Sequence, residues 1–111
     1  MTRVLHVVSA LCLAGAGVAA ANDYPTEARA SYVFGCMAVN GQTPEALRKC
    51  SCAVDVIATI LPYDAYVAAE TVLTMRQTSG ERSTLFRDTA PANATVADLR
   101  RAEAEAEIIC F

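Results

Sequence analysis

The sequence predicts an all-α domain, a small antiparallel bundle of four main helices plus a short one, stapled by two disulfides. Three observations carry this reading. Each of the four prolines stands where a helix should begin. No segment shows the strict apolar and polar alternation of a half-buried strand. Four cysteines, an even number, follow a leader of secretory type.

Residues 1–21 have the three parts of a signal peptide. Arg3 supplies the positive start, Val4 to Val18 carry no charge apart from a proton on His6, and Val18-Ala19-Ala20-Ala21 offers small residues for cleavage after Ala20 or Ala21. A transmembrane anchor is the rival reading. The run is short for a span, however, and is diluted by Ser9, Gly15 and Gly17. Cys12 lies inside the apolar run behind Leu11, the wrong predecessor for lipidation, and leaves with the signal. The expectation is a domain of residues 22–111 in the periplasm, with no membrane association after cleavage.

From Asn22 onward eight Arg/Lys face twelve Asp/Glu, a net charge of −4, and no histidine remains. A mildly acidic surface argues against nucleic acid and anionic membrane, since both require clustered Lys and Arg. The missing histidine removes the commonest general base and metal ligand. An interior dominated by alanine gains little transfer free energy per residue, so covalent staples are expected.

Helix 1 is expected from Thr26, behind Pro25, to Asn40, with Gly41 in the position that tolerates a left-handed residue. Thr43-Pro44-Glu45 combines a cap hydroxyl, a first-turn proline and a carboxylate near the positive end of the helix dipole. Helix 2 should run to Leu61, because Pro62 disfavours helical geometry in the residue before it. Asp64 can cap helix 3 over Ala65 to Arg76, or Pro62 can begin it a turn earlier. Glu81 to Arg87 reads as a short helix carrying Leu85 and Phe86. Thr89-Ala90-Pro91 opens the last helix, Pro91 to Ile109, where Val96, Leu99, Ala102, Ala106 and Cys110 fall on one face. Loops this short imply antiparallel neighbours within a single domain.

At about 100° per residue Cys50 falls in the stripe of Leu47, Val54, Ile57 and Leu61, while Cys52 points about 200° away. Each should therefore reach a different helix. In a hairpin bent near Gln42, Cys36 stands level with about residue 48, one short axial step from Cys50. The preferred pairing is Cys36 with Cys50 and Cys52 with Cys110. Cys36 with Cys52 and Cys50 with Cys110 is the competing arrangement. Cys50-Ser51-Cys52 also fits a thiol-disulfide or metal-handling site, with Arg48 and Lys49 adjacent to lower a thiolate pKa. Against this, the pair lies mid-helix and lacks the paired knuckles of a strong metal site.

Arg100, Arg101, Glu103, Glu105 and Glu107 read as a solvated face with Arg100–Glu103 and Arg101–Glu105 pairs. Asp55, beside Thr59 and Arg48, predicts an exposed edge or an ion pair. Asn93-Ala94-Thr95 matches a glycosylation sequon only by letters, since it falls in a helical first turn. Tyr24, Tyr32, Tyr63 and Tyr66 suit helix-edge packing with wet hydroxyls. Tyr63, Asp64 and Tyr66, two aromatics flanking a carboxylate at a helix start, form the candidate interaction surface.

Tyr32-Val33-Phe34-Gly35-Cys36-Met37-Ala38, Cys50-Ser51-Cys52 and Leu61-Pro62-Tyr63-Asp64 resemble segments of short exported four-cysteine helical proteins of Gram-negative bacteria. The resemblance covers most of residues 22–111. It implies an accessory role beside periplasmic quinoprotein alcohol dehydrogenase systems and carries no catalytic residue. With no nucleophile and base pattern, and no phosphate or metal motif, the sequence predicts a non-enzymatic periplasmic interaction or accessory protein with a protein partner and no cofactor. The alternative is the thiol-disulfide or metal-handling protein acting through Cys50 and Cys52.

Overall fold

The structure, a computed structural model, describes residues 23–78, 80, 84, 86, 87 and 89–111. The expected signal segment 1–21 and part of the expected short helix 81–87 lie outside the described residues. Among the described residues the fold is all-helical: α1 spans Thr26–Asn40, α2 Pro44–Ile60, α3 Tyr63–Arg76 and α4 Ala90–Cys110.

The helix limits follow local chemistry. Gly41 ends α1 at a φ of 108° and donates its N–H to the Met37 carbonyl. The Thr43 hydroxyl caps α2 by accepting from the Ala46 N–H at 3.0 Å. Leu61 is extended, at φ −112° and ψ 120°, as a residue preceding proline should be. The chain then turns sharply, so that α2 and α3 meet at 114°. Of the two starts expected for α3, the one set by Pro62 is adopted; Asp64 lies in the first turn, where its Oδ1 accepts from the Ala65 N–H. α4 begins one residue before Pro91, with Thr89 preceding it.

α2 is the hub. It packs α1 on one side and α4 on the other, and α3 lies against α4. Ala53, Ile57 and Leu61 of α2 share one core with Tyr66 and Ala69 of α3 and with Leu99, Ala102 and Ala106 of α4. A smaller cluster of Val72, Ala92 and Val96, backed by Leu73 and Phe86, continues between α3 and α4. Ile57, Leu99 and Cys50 are the largest fully buried side chains. The stripe expected on the last helix is thus buried from Val96 to Ala106.

Two covalent ties join the hub to its neighbours. Cys36 bonds Cys50 and Cys52 bonds Cys110, each with Cα atoms 5.8 Å apart, so the preferred pairing is the one adopted. The second tie anchors the end of α4 to the side of α2 opposite Cys50. Beside it Lys49 Nζ lies 5.7 Å from the centre of the Phe111 ring.

The corner between α2 and α3 is closed by Tyr24, which precedes α1. Its hydroxyl donates to the Leu61 carbonyl at 2.7 Å in a buried bond, satisfying an oxygen that the end of α2 leaves without a helical partner. Its ring lies 5.1 Å from both Tyr63 and Tyr66. Burial, with the nearby charge of Asp23, pushes the Tyr24 hydroxyl pKa up to about 12.

Three expectations are corrected. The Tyr24 hydroxyl, expected wet, is buried against the Leu61 carbonyl. Leu47, placed in the buried stripe, is 47% exposed. It sits about 60° from Cys50, on the shoulder facing α1 rather than α4, and α1 does not cover it. Arg101 pairs with Asp98 at 3.3 Å rather than with Glu105. Here the acid precedes the base along the helix, which is the favoured order. Arg100 does pair with Glu103, at 2.8 Å, and the exposed Asp55 bonds Arg29 at 2.6 Å.

Two outcomes are expected. Replacing Cys36 and Cys50 together by Ala should cost about 3 kcal/mol and replacing Cys52 and Cys110 about 4 kcal/mol on the loop-entropy model. Chemical denaturation of the two double variants measures this, and equal stability to the parent would contradict it. Tyr24→Phe, which keeps the ring and strands the Leu61 carbonyl, should cost about 1–2 kcal/mol in the same assay.

Candidate functional site

The structure separates the three features that the sequence offers for chemistry. Cys50 and Cys52 leave α2 in different directions, and neither bonds the other. Cys50 is fully buried, and all four described cysteines are disulfide-bonded. The arrangement presents two structural crosslinks rather than a paired thiol. Among the described residues no group of three or more His, Cys, Asp or Glu is placed to hold a metal ion.

Of the expected surface at the start of α3, Asp64 is exposed, Tyr63 is half-buried and Tyr66 is buried at 7% exposure. Tyr63 and Tyr66 stack with centroids 6.3 Å apart, and both rings meet Tyr24. The two aromatics therefore help close the α2–α3 corner, and Tyr66 reaches through to a cleft on the far side.

α1 brings together what sequence reasoning did not single out. None of its residues is fully buried, and Phe34 is 77% exposed. Ala30, Val33, Phe34 and Met37 recur at the three and four residue steps of one helix face. That spacing was the available signal. Together with Leu47 and Val54 of α2 they line an apolar groove of about 500 Å³. The Arg29–Asp55 pair crosses its rim and neutralises both charges within the molecule.

The other side of α1 has opposite character. Tyr32 of α1, Tyr66 and Glu70 of α3, and Glu103 of α4 line a cleft of about 430 Å³. A neighbouring recess of about 320 Å³ shares Tyr32 and Glu103 with it and adds Glu107 and Phe111. The carboxylates and the partial burial act in concert on the titrating groups. Burial, then the charge of Glu103, raises the Glu70 pKa, with Arg100 opposing. Burial, then Glu103, Glu107 and Glu70, raises that of Tyr32. Burial, followed by Glu70, Tyr24, Tyr32 and Glu103, raises that of Tyr66.

Among the described residues no single helix is long and apolar enough to cross a membrane. α2 and α3 pass that test only when joined, across a 114° bend. Compared with protein-family models, curated proteins and solved structures, the chain matches none.

The raised Glu70 pKa fixes the sign of a pH effect. A carboxyl that holds its proton more tightly folded than unfolded is destabilising when ionised, and acidification through the raised value relieves that penalty. Because Glu70 is exposed, solvent screens most of this penalty, so Glu70→Gln should raise the melting temperature at pH 7 only slightly, by about 1 °C. The gain should shrink as the pH falls through the raised value and vanish below the ordinary carboxylate range. Thermal melts across pH 3–8 check this, and a gain independent of pH would contradict it.

Proposed function

We propose that this chain is an exported, non-enzymatic interaction protein whose α1–α2 groove docks one amphipathic helix of a protein partner. The observation that carries the reading is the 77% exposure of Phe34 above an apolar groove. A large aromatic left in water on a helix that is covalently fixed in place marks a surface meant to be covered.

The groove's form selects the occupant. Its walls are two neighbouring helices, and the α1 wall from Ala30 to Met37 is about 10 Å long, two helical turns. Ridges at three and four residue spacing receive the same spacing from a third helix, the helix-in-groove mode of recognition. Since Arg29 and Asp55 already satisfy one another, the groove asks for apolar side chains and not for a counter-charge. Export follows from the signal-like composition of residues 1–21, and the two disulfides are compatible with an oxidising compartment. The periplasm is the compartment that joins these two facts.

A photo-crosslinking amino acid at position 34, in the full chain expressed in a Gram-negative host, tests the reading. The expected result is a heterologous adduct whose crosslinked peptide maps to a helical segment of the partner. Leu47→Asp should abolish it, and a probe at the equally exposed position 108 should not produce it. Adducts only between two copies of the chain, or adducts insensitive to Leu47→Asp, would overturn the docking assignment. The same preparation should have an intact mass lacking residues 1–20 or 1–21, and retention of that segment would overturn export by cleavage.

A further inference from the structure

α1 is attached to the domain differently from α2, α3 and α4. Neither core cluster contains one of its residues, and Tyr32 alone packs against the edge of one. Tyr24 anchors the chain before it and Thr43 caps α2 after it. Between those two points the Arg29–Asp55 pair is open to solvent, and a pair of that kind holds a helix weakly. What remains is the bond from Cys36 to Cys50. We infer that this disulfide is a redox lock on α1: a reduced dithiol opens it and frees α1 as a local unit while α2, α3 and α4 stay folded, so the apolar groove exists only in the oxidised protein. The consequence for recognition rests on the docking role proposed for that groove, whereas the release of α1 does not.

The bond is open from one side. Cys50 is fully buried, but Cys36 is half-buried and lines both the cleft and the recess beside α1. The amide of the exposed Asn40 lies 3.6 Å from the Cys36 sulfur, so that sulfur stands at the surface end of the bond. A thiolate reaches it without entering the core. Reduction is then two exchanges. One thiolate of the dithiol attacks Cys36 Sγ, a new S–S bond forms as the bond to Cys50 breaks, and the electron pair leaves on Cys50 Sγ, which takes a proton from water. The second thiolate attacks the reductant's own sulfur in the mixed disulfide, and Cys36 leaves and is protonated. Two electrons have passed to the protein, and the reductant holds the disulfide. Cys50 as a thiol remains a small apolar residue suited to its buried position.

The second disulfide lacks this consequence. α4 contributes Leu99, Ala102 and Ala106 to the core it shares with α2 and α3, so opening Cys52–Cys110 leaves that helix packed. Opening Cys36–Cys50 leaves α1 with no buried residue to hold it. A segment with so little burial opens separately from the rest of a domain. Once α1 swings away, Ala30, Val33, Phe34 and Met37 no longer face Leu47 and Val54, and the groove is gone.

The test treats the processed protein with dithiothreitol at stepped ratios of reduced to oxidised form. Thiols are trapped with N-ethylmaleimide for peptide mapping, and hydrogen exchange is followed by mass spectrometry. Opening of Cys36–Cys50 should make amides 30–40 exchange about tenfold faster or more, with amides 53–57, 69–72 and 99–106 unchanged. Reoxidation should restore α1. Cys36→Ala with Cys50→Ala, which keeps Cys52–Cys110, should show the same exchange pattern with no reductant present. Unchanged α1 protection in either reduced protein or variant overturns the lock. So does loss of protection in all helices together, a variant unfolded by circular dichroism, or a Cys36–Cys50 bond that resists dithiol until the whole domain unfolds. The position 34 crosslink, present in the oxidised chain, should disappear in the double variant. Its absence from the oxidised chain would count against docking alone, because the exchange measurement involves no partner.

Discussion

The fold depends on α2 being bonded to a different helix from each of two cysteines set on opposing sides. The reason lies in the interior. Ala46, Ala53, Ala69, Ala92, Ala102 and Ala106 are all buried, and among the described residues the largest fully buried side chains are no bigger than Ile57, Leu99 and Cys50. Each alanine removes little apolar surface from water on burial, so the packing of α2 against α4 is close but thin. The bond from Cys52 to Cys110 fixes the far end of α4, where the preceding residues, Ile108 and Ile109, are exposed. The bond from Cys36 to Cys50 fixes a helix that has no buried residue at all.

The attachment of α1 is therefore of an unusual kind. Most amphipathic helices are held by the apolar face they bury. This one is held by a disulfide at its middle, by Tyr24 at its start and by the Arg29–Asp55 pair between. None of these uses Val33, Phe34 or Met37. Phe34 is thereby left toward solvent, with Val33 and Met37 half-buried beside it, without loosening the helix, and the same economy on the other side leaves Tyr32 beside Glu70 and Glu103. A helix tied chiefly by a crosslink and an ion pair, with only Tyr32 packed against the core, has two surfaces to offer, and here they differ in character: one apolar with its rim charges paired, the other acidic and lined with tyrosine.

How far the sequence discloses this depends on the range of the interaction concerned. Pro25, Pro44, Pro62 and Pro91 act on their own backbone and that of the preceding residue, so helix starts were legible to within about two residues. The angular offset between Cys50 and Cys52 is likewise a property of one helix, and with a short hairpin it was enough to order the pairing. Leu47 was misplaced because a stripe on one helix records which face is apolar but not which neighbour covers each shoulder. Tyr24 was out of reach for a related reason. Its partner, the Leu61 carbonyl, lies 37 residues away and becomes available only because the turn at Pro62 leaves it without a helical donor. The cleft was hidden altogether, since its carboxylates come from α3 and α4 and meet Tyr32 only after the chain has folded. In the sequence Glu103 reads simply as part of a solvated charged run.

The placement of the Cys36–Cys50 bond bears directly on recognition. Cys36 lines the acidic cleft, and its bond partner Cys50 lies on α2 only about one turn from Leu47 of the apolar groove. One crosslink thus sets the position of α1 for both surfaces at once. A helix free to swing would have to be ordered on binding, at a cost of about 0.5–1.5 kcal/mol for each rotamer-rich side chain immobilised, besides the backbone. Crosslinked, α1 presents Phe34 and Tyr32 with that ordering already done during folding. Its rigidity comes from a bond to a buried cysteine of α2 rather than from an apolar face buried by α1 itself. That is how a domain with so little large apolar volume keeps Phe34 exposed, with Val33 and Met37 half-buried along the groove, instead of drawing them into its core.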